Sequence, residues 1–487
     1  MQIFNLAVSV NDIISKVDSF VWGWTLIVLI LAAGVWLSVR TGFVQVKHLG
    51  KALKYMVKNE ENGEGEVTSF GALCTALSAT IGTGNIVGVA TAICLGGPGA
   101  LFWMLVAAFF GMATKYTEGF LAVKFREKKD DGHFLGGPFY YIEKGMGKRW
   151  KWLAKLFAFF GVCAGLMGIG TITQINGITT AVQNFFDPKK SHIAFSIGEN
   201  SYSWATVVGG LLVTIFAALV IIGGIKRIAK ISEVVVPFMA ITYILFVLII
   251  VFTHIKEIPD AAVLVVKSAF VPKAALGAGA GVTLKLAMQK GIGRGIFSNE
   301  SGLGSAPIAA AAAKTNDTVR QGLVTMTGTF IDTIVICTLT GLSIIVTGAQ
   351  NSFVAGSFEG VSITTLAWQT GLPWNEKISA FVLMVSLTFF AFTTILGWDY
   401  YSEKCLEYLT DSQRSVKIYR WIYILAVFIG PYLTVEAVWN IANIFNGLMA
   451  FPNLIALFAL SGVVGKETRA YFAAKNHDLK TLSKDKK

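Results

Sequence analysis

The sequence predicts an all-α membrane protein whose chain crosses the bilayer about eleven times. Of its 487 residues, 54% are hydrophobic and 14% are charged. Soluble domains carry about a quarter charged residues, because their surface faces water. The apolar residues form runs of about 20, the length at which an α-helix crosses roughly 30 Å of hydrocarbon. These observations exclude a soluble, fibrous or disordered chain.

Eleven apolar segments are candidates for membrane helices. The first has a full-length apolar core, and Lys16 is the single basic residue before it. It is therefore predicted to be a retained helix and not a cleaved signal peptide. The approximate limits of the segments are 19–39, 70–94, 98–123, 156–186, 205–224, 233–253, 280–311, 321–347, 378–400, 421–436 and 438–464.

The basic residues lie mainly in alternate loops. The loops after the first, third, fifth, seventh, ninth and eleventh segments contain 30 of the 41 lysines and arginines, against 7 in the N-terminus and the other loops. Because cytoplasmic loops are enriched in basic residues, this asymmetry predicts an N-terminus outside the cell and a cytoplasmic C-terminus. The net charge of +12 therefore reflects topology in the cell membrane and not binding to nucleic acid.

The sequence lacks the residue patterns of a zinc site, a redox site or a covalent catalyst. The five cysteines are scattered without a C-x-x-C pair, and the five histidines form no H-x-x-x-H pair. Scattered cysteines in apolar segments are usually packing residues, and no Ser-His or Cys-His arrangement lies at membrane depth. We therefore expect no enzyme, no disulfide, no bound zinc and no cofactor.

Two segments contain glycines and polar residues where a continuous apolar helix is expected. The second reads T-I-G-T-G-N-I-V-G over 80–88, and the seventh reads S-N-E-S-G-L-G-S-A-P over 298–307. Unpaired backbone groups are costly in hydrocarbon, so such breaks must face protein, water or a ligand. The alternative, small residues at close helix contacts, suits Gly84 and Gly88 but explains Asn85 poorly.

The two breaks occupy matching places in the chain. Gly82 and Gly84 correspond to Gly302 and Gly304, which lie 220 residues and five segments further on. An odd number of helices per half gives the two halves opposite orientations in the membrane. Paired interruptions of this kind are typical of transporters with inverted repeats and a binding site at the membrane midplane. A channel, which also allows paired broken helices, is the alternative from another class.

Seven stretches of the sequence resemble the alanine or glycine:cation symporter family, over most of the chain. They are ATIGTGNIVGVATA (79–92), LGGPGALFWM (95–104), FFGMATKYTEG (109–119), LGGPFYYIEKG (135–145), GRGIFSNESGLGSAPIAAAAAKT (293–315), TGTFIDTIVICT (327–338) and TTILGWDYYSEKC (393–405). The resemblance implies a LeuT-type fold of ten core helices in two inverted five-helix repeats, preceded by one extra helix. We accordingly expect the extra helix and a cytoplasmic connector over 1–69, the repeats over 70–253 and 254–465, and a cytoplasmic tail over 466–487.

The resemblance also implies a function. It implies sodium-coupled import of small neutral amino acids, alanine and glycine, by alternating access. Within the class, a glutamine carrier is the alternative, because some relatives resemble glutamine carriers. Proton coupling is a further alternative, since Glu300 beside the second break would permit it.

A zwitterionic amino acid in a low-dielectric site needs N–H donors at its carboxylate and oxygen acceptors at its ammonium. The ends of broken helices supply both. Thr83, Gly84 and Asn85 begin the second half of the first broken helix, so their backbone amides are the predicted carboxylate donors. In the second broken helix, the stretch 297–302 is predicted to be unwound and to offer carbonyls to the ammonium, with the Phe297 ring beside the substrate side chain.

Three further side chains are assigned to the substrate, those of Gln174, Thr394 and Trp398. Gln174 is an uncharged polar residue in the fourth segment, where a hydrogen bond between helices is about as plausible as a substrate contact, and the resemblance favours the substrate. In the ninth segment, Trp398 lies one turn beyond Thr394 and is predicted to cap a small pocket.

The predicted sodium site follows the position of the second ion site in LeuT-type carriers. It joins backbone carbonyls near Ala79 and Gly82 to the hydroxyls of Thr393 and Thr394, which are hard oxygen donors suited to a small cation. The alternative is that the two threonines bond only to carbonyls of their own helix, as membrane threonines often do.

Charged residues within membrane segments are functional candidates. Lys115 and Glu118 are three residues apart on one helix face and are expected to pair with each other. Glu300 and Asp332 could orient the unwound backbone, form an ion pair with Arg294 or carry a proton. These three roles stay open.

Overall fold

The computed structural model describes residues 2–58, 60, 63–197, 200–270, 284–353, 360–433 and 436–484. In this part of the chain, α-helices dominate, as the composition predicts. Two pairs of short antiparallel strands in the loops were not predicted: Glu127–Lys128 with Phe134–Leu135, and Ile193–Ile197 with Asn200–Ser203.

The α-helices are numbered here in chain order. They are α1 (Gln2–Val21), α2 (Trp24–Arg40), α3 (Val44–Lys47), α4 (Leu49–Val57), α5 (Ser69–Thr80), α6 (Val89–Gly96), α7 (Gly99–Phe125), α8 (Pro138–Tyr140), α9 (Lys151–Met167), α10 (Ile172–Phe186), α11 (Trp204–Ile221), α12 (Gly224–Thr253), α13 (Ile258–Phe270), α14 (Leu284–Asn299), α15 (Ala306–Ala310), α16 (Thr318–Thr329), α17 (Thr338–Val346), α18 (Gly360–Gly371), α19 (Glu376–Thr410), α20 (Gln413–Ile429) and α21 (Glu436–Lys484).

Several of these helices begin where the sequence supplies an N-cap. The side chains of five residues accept a hydrogen bond from a backbone N–H two or three residues later, which satisfies a donor that has no partner inside the helix. These residues are Thr68, Ser203, Asp317, Asn375 and Ser412.

Eight helices of the described residues are long and apolar enough to cross a membrane, or nine when one bent pair is counted as a single span. The outer surface agrees, because α11 exposes Leu212 (49%), Phe216 (57%) and Leu219 (55%), as a helix facing lipid does. The protein is therefore a multi-pass membrane protein.

Two of the eleven predicted spans do not meet this test. In the seventh, α14 has only 16 residues, three of them charged, and the predicted start at 280–283 lies outside the described residues. In the tenth, α20 has only 17 residues. The count of eleven stays a prediction.

Three predicted limits also differ from the helices. The first predicted span contains the turn at 22–23, because α2 begins at Trp24 and a separate helix precedes it. The fourth span divides into α9 and α10 around residues 168–171. The helix α21 runs for 49 residues through the predicted boundary at 465 to Lys484.

Small residues bring both interrupted helices into close contact with their neighbours. A Cβ atom placed on Gly397 of α19 would lie 2.7 Å from the Cβ of Ala79 in α5. One placed on Gly111 of α7 would lie 2.9 Å from the Ser301 Oγ in the second break. Such close approach is typical of helix packing in membranes. These close contacts place both breaks inside the protein.

Candidate functional site

The first broken helix bends by 54° between α5 and the helical stretch Gly84–Gly96. The Asn85 side chain closes the break, since its Oδ1 accepts a hydrogen bond from the Gly82 N–H (2.9 Å). The backbone N–H of Asn85 donates to the Gly82 carbonyl (3.3 Å). The break thereby pairs part of its own polar backbone, as the interior of a membrane requires.

Of the three amides predicted to bind a carboxylate, that of Gly84 is the best placed. The Thr83 N–H donates to the Gln174 Oε1 (3.2 Å), and the Asn85 N–H donates to Gly82. Within the described chain, the Gly84 N–H has no protein acceptor, as is usual in the first turn of a helix. A Cβ on Gly84 would lie 3.6 Å from the Phe297 Cδ1. The free amide therefore lies beside the predicted aromatic wall.

The second break begins later than predicted. Phe297 is still helical, because α14 continues to Asn299, and the non-helical stretch is 300–305. Gly302 (φ 90°) and Gly304 (φ 81°) have positive φ angles, which glycine adopts without steric cost. The prediction that residues 297–302 are unwound is thus wrong for the first three of them. The last carbonyls of α14 nevertheless lack partners within their own helix and can accept hydrogen bonds.

Gln174 connects two interrupted helices. Its Nε2 donates to the Ile169 carbonyl (3.1 Å) across the break between α9 and α10, and its Oε1 accepts from Thr83. A Cβ on Gly82 would lie 3.2 Å from the same Oε1. The interhelical hydrogen bond that was the alternative role of Gln174 is thus present at the first break. Its role as a substrate ligand stays a prediction.

Trp398 lies at the second break. Its indole Nε1–H donates to the Glu300 Oε1 (2.9 Å), and the Ser305 hydroxyl donates to the Glu300 Oε2 (2.5 Å). Trp398 and Glu300 are both fully buried. The Glu300 carboxylate therefore holds the indole and the far end of the break together, a role among those left open by the sequence.

Asp332 joins the two broken helices to each other. Its Oδ1 accepts a hydrogen bond from the Asn85 Nδ2 (2.7 Å), and its Oδ2 accepts from the Ser298 Oγ (2.9 Å) and the Thr333 Oγ1 (2.6 Å). Asp332 lies in a π-helical stretch, Phe330–Cys337, and is fully buried. The sequence signal was a lone acid within a membrane segment, but its partners could not be identified from that signal.

Glu118 binds the second break from α7. Its Oε1 accepts from the Asn453 Nδ2 (2.7 Å) and the Gly302 N–H (3.2 Å). Lys115 and Glu118 interact electrostatically, as expected from their spacing, but no direct ion pair joins them among the described residues. Lys115 instead lines a small cavity with Thr80 and Asn299, the last residues of α5 and α14. A cation at helix C-termini is electrostatically favourable.

The two threonines of the predicted sodium site differ in their contacts. The Thr394 Oγ1 lies 3.3 Å from the Ile81 carbonyl in the first break and 3.0 Å from the Phe390 carbonyl of its own helix. The Thr393 hydroxyl donates to the Phe390 carbonyl (3.0 Å) and lies 3.6 Å from the Met239 Sδ. Thr394 therefore contacts the break directly, whereas Thr393 has the local contact of the alternative interpretation.

The predicted carbonyl donors lie at the same crossing of α5 and α19. A Cβ on Gly82 would lie 2.5 Å from the Thr394 Oγ1, and Ala79 packs against Gly397. The carbonyl that Thr394 contacts belongs to Ile81, which was not among the predicted donors. Assignment of these groups to sodium stays a prediction.

The geometry defines a class of protein. Two interrupted helices meet inside a membrane-spanning bundle, with a free amide, helix C-termini and buried carboxylates around their breaks. This is the arrangement of a secondary transporter and not of an enzyme. A solved structure supports the fold, since "MhsT in complex with L-phenylalanine" aligns with a TM-score of 0.56 over 84% of this chain and 99% of that chain, at 12% identity. The predicted LeuT-type fold is confirmed.

The family follows from the sequence. The profile of the sodium:alanine symporter family matches residues 7–485, and the chain belongs to this family. The sodium/alanine symporter AgcS of Methanococcus maripaludis is 45% identical over 475 residues, which are 96% of this chain and 99% of AgcS. An uncharacterized transporter of Haemophilus influenzae is 51% identical over 464 residues, 95% of this chain and 96% of that protein. The predicted family is thus confirmed.

Proposed function

We propose that this protein is a sodium-coupled symporter that imports alanine and glycine across the cell membrane. The observation that carries the proposal is the close approach of Gly84, which begins the second half of the first broken helix, to Phe297 near the end of α14. Membership of the family and the high identity to a sodium/alanine symporter support the choice of substrate and ion.

The substrate carboxylate is assigned to the Gly84 N–H, where the partial positive charge of a helix N-terminus adds to the hydrogen bond. The ammonium is assigned to the carbonyls at the end of α14, with Glu300 as the nearby negative charge. Phe297 and Trp398 bound the side-chain pocket. Because a hydrogen bond to Glu300 fixes the indole, the pocket favours alanine and glycine over a longer side chain such as that of glutamine.

The sodium ion is assigned to the crossing of α5 and α19. Thr394 supplies a hydroxyl, and the carbonyls of the first break, including those near Ala79 and Gly82, supply the remaining oxygens. Thr393 belongs to the predicted set, although its contacts favour a structural role. A tenfold sodium gradient contributes about 1.4 kcal/mol, and about 100 mV contributes a further 2.3 kcal/mol per charge. One ion per cycle is therefore enough to accumulate a neutral amino acid several hundredfold.

The topology is part of the proposal. The N-terminus lies outside and the C-terminus in the cytoplasm, because loops rich in lysine and arginine stay on the cytoplasmic side of the membrane. The two inverted repeats extend over 70–253 and 254–465. Their relative movement opens the midplane site first to one side of the membrane and then to the other, which is alternating access.

The test is uptake of labelled alanine by the purified protein in proteoliposomes. We expect uptake that saturates, requires an inward sodium gradient and is blocked by glycine but not by glutamine. A potassium gradient and a pH gradient serve as controls. Uptake driven by the pH gradient alone, or blocked by glutamine, would favour the alternative carriers. Flux that does not saturate and needs no ion gradient would indicate a channel.

A further inference from the structure

An apolar groove lies beside the first broken helix, between α4, α5 and α12. Its volume of about 320 Å³ falls within the range of pockets that hold small ligands, about 300–1,000 Å³. Among the described residues, every residue that lines it is hydrophobic. The lining extends from Phe70 to Ile81 in the first broken helix and from Val236 to Ile244 in α12, and it includes Met56 and Val57 of α4.

The groove opens toward the lipid. Val57 and Ile241, which line it, are both exposed, as are Val234 and Phe238 on the outer surface of α12. An exposed apolar surface on a membrane-spanning helix contacts hydrocarbon and not water. A hydrophobic chain is therefore the occupant that the walls of the groove favour.

The groove has the length of one lipid chain. Phe70 and Ile81 are 11 residues apart, about 17 Å along a helix. Half of the hydrocarbon core, the share of one leaflet, is about 15 Å thick. The groove therefore extends from the surface end of α5 to the first break at mid-depth, as a single acyl chain does.

Two lysines lie at the surface end of the groove. Lys58 directly follows Val57, and Lys230 lies two turns before Pro237 on the same face of α12. Both side chains are exposed, and neither takes part in an ion pair within the described part of the chain. The surface end thus offers two positive charges to an anionic group.

The acids next to these lysines have other partners. The Glu233 Oε1 accepts a hydrogen bond from the Thr68 hydroxyl (2.7 Å), and Thr68 is the N-cap of α5. The Glu60 carboxylate accepts a hydrogen bond from the Thr315 hydroxyl. The bond to Glu233 also holds the beginning of α5 against α12, so both walls of the groove begin on the same side of the membrane.

We propose that this groove binds an anionic phospholipid, with one acyl chain between α5 and α12 and the phosphate at Lys58 and Lys230. A soluble anion would leave the apolar walls uncovered, and an uncharged chain would leave the lysines without a counter-charge. An anionic phospholipid satisfies both parts of the site. In the topology proposed above, the lysines lie at the cytoplasmic surface, where anionic lipids give the membrane a negative potential.

The lipid acts on the first broken helix. Ile81, at the inner end of the groove, has its carbonyl 3.3 Å from the Thr394 Oγ1. An acyl chain packed along α5 holds Ile81 at this contact, because it fills the space into which the helix could otherwise tilt. Anionic lipid should therefore lower the sodium concentration for half-maximal uptake. This consequence rests on the proposed sodium site, whereas the lipid site itself does not.

Native mass spectrometry of the full chain, titrated with phosphatidylglycerol, tests the lipid site. We expect the affinity to fall about fivefold in Lys230→Gln and roughly 30-fold when Lys58→Gln is added, because a lysine beside an anionic lipid contributes a factor of about five. Lys155→Gln, the same change at an exposed lysine of α9, which does not border the groove, should leave the affinity unchanged. Phosphatidylcholine, whose headgroup has no net charge, should bind the unaltered chain as weakly as phosphatidylglycerol binds the double variant.

Phosphatidylglycerol with a diazirine near the end of its acyl chain locates that chain. We expect crosslinks within 70–81 and 236–244. Ala240→Phe, which fills the groove and keeps both lysines, should abolish these crosslinks. Gel filtration checks that this variant folds, and the lysine variants decide the question if it does not.

The proposal is overturned if Lys155→Gln weakens binding as much as Lys230→Gln, if phosphatidylcholine binds as tightly as phosphatidylglycerol, or if the crosslinks fall outside the groove. Any of these results together with sodium-driven alanine uptake would remove the lipid site alone. Absence of uptake in proteoliposomes that contain phosphatidylglycerol would instead remove the proposed function.

Discussion

The indole of Trp398 and the carboxylate of Glu300 are joined by a buried hydrogen bond of 2.9 Å. This bond connects α19 to the second break, so the width of the pocket and the geometry of the break depend on one another. Loss of this hydrogen bond should therefore alter both substrate selection and affinity.

Replacement of Trp398 with Phe removes the indole N–H and reduces the size of the ring. We expect a fall in alanine affinity of about tenfold, the equivalent of about 1.4 kcal/mol, because Glu300 loses its donor. Larger amino acids such as valine should begin to compete, and competition uptake in proteoliposomes measures both effects. Glu300→Gln keeps an oxygen acceptor and should retain selectivity. An unchanged substrate range in Trp398→Phe would show that the indole is not the pocket wall.

Replacement of Gly84 with Val should abolish alanine binding. The added side chain would fill the approach to the amide, where a Cβ atom already meets the Ser298 Cα at 3.4 Å. Gly84→Ala adds only that Cβ and should lower the affinity by less. Binding in nanodiscs measures the series, with thermal unfolding as the check on folding. Near-normal affinity in Gly84→Val would contradict the carboxylate assignment.

Replacement of Thr394 with Ala should raise the sodium concentration for half-maximal uptake by about tenfold, the equivalent of about 1.4 kcal/mol. Thr394 contacts the first break, whereas Thr393 has contacts away from it. Thr393→Ala is therefore the matched control and should leave the sodium dependence nearly unchanged. Thr394→Ser keeps the hydroxyl and should restore it. Equal effects of the two alanine changes would show that Thr394 has no special role in sodium binding.

The Asn85 and Asp332 side chains should be energetically coupled. Asn85→Ala and Asp332→Ala each break the 2.7 Å hydrogen bond, so the double change should cost less than the sum of the single changes. The expected coupling energy is about 1–3 kcal/mol, measured by the free energies of unfolding in a double-mutant cycle. Tyr202→Phe, which removes a hydrogen bond to the Tyr432 carbonyl elsewhere, should be additive with Asp332→Ala. Additivity between Asn85 and Asp332 would show that the bond contributes little.

The positions of the two breaks could be predicted from the sequence, because a membrane helix tolerates few polar residues and glycines. The exact start of the second break could not. The polar residues Ser298 and Asn299 suggest an unwound chain, yet both remain in α14 because Asp332 and Thr333 satisfy their side chains. A helix can keep polar residues in a membrane when a neighbouring helix supplies partners.

The network around the breaks was largely beyond prediction. Asp332 bonds to Asn85, 247 residues away in sequence, and Glu118 bonds to Asn453, 335 residues away. A single sequence gives no information on such distant pairs. The spacing of Lys115 and Glu118 on one helix face indicated that their charges interact, but it could not show that Glu118 bonds directly to Asn453 and Gly302. The family resemblance supplied what local patterns could not, namely the order of the helices around the breaks.

The long helix α21 touches the second break at Asn453 and the connector at Lys475, whose Nζ donates to the Tyr55 hydroxyl at 2.5 Å. The two contacts are 22 residues apart, about 33 Å along a helix. A continuous helix of this length links the second break to the connector, so a rotation of α21 at the break would also displace its contact with Tyr55. A fluorescent reporter on the connector should therefore follow the transport cycle in intact cells without altering the binding site.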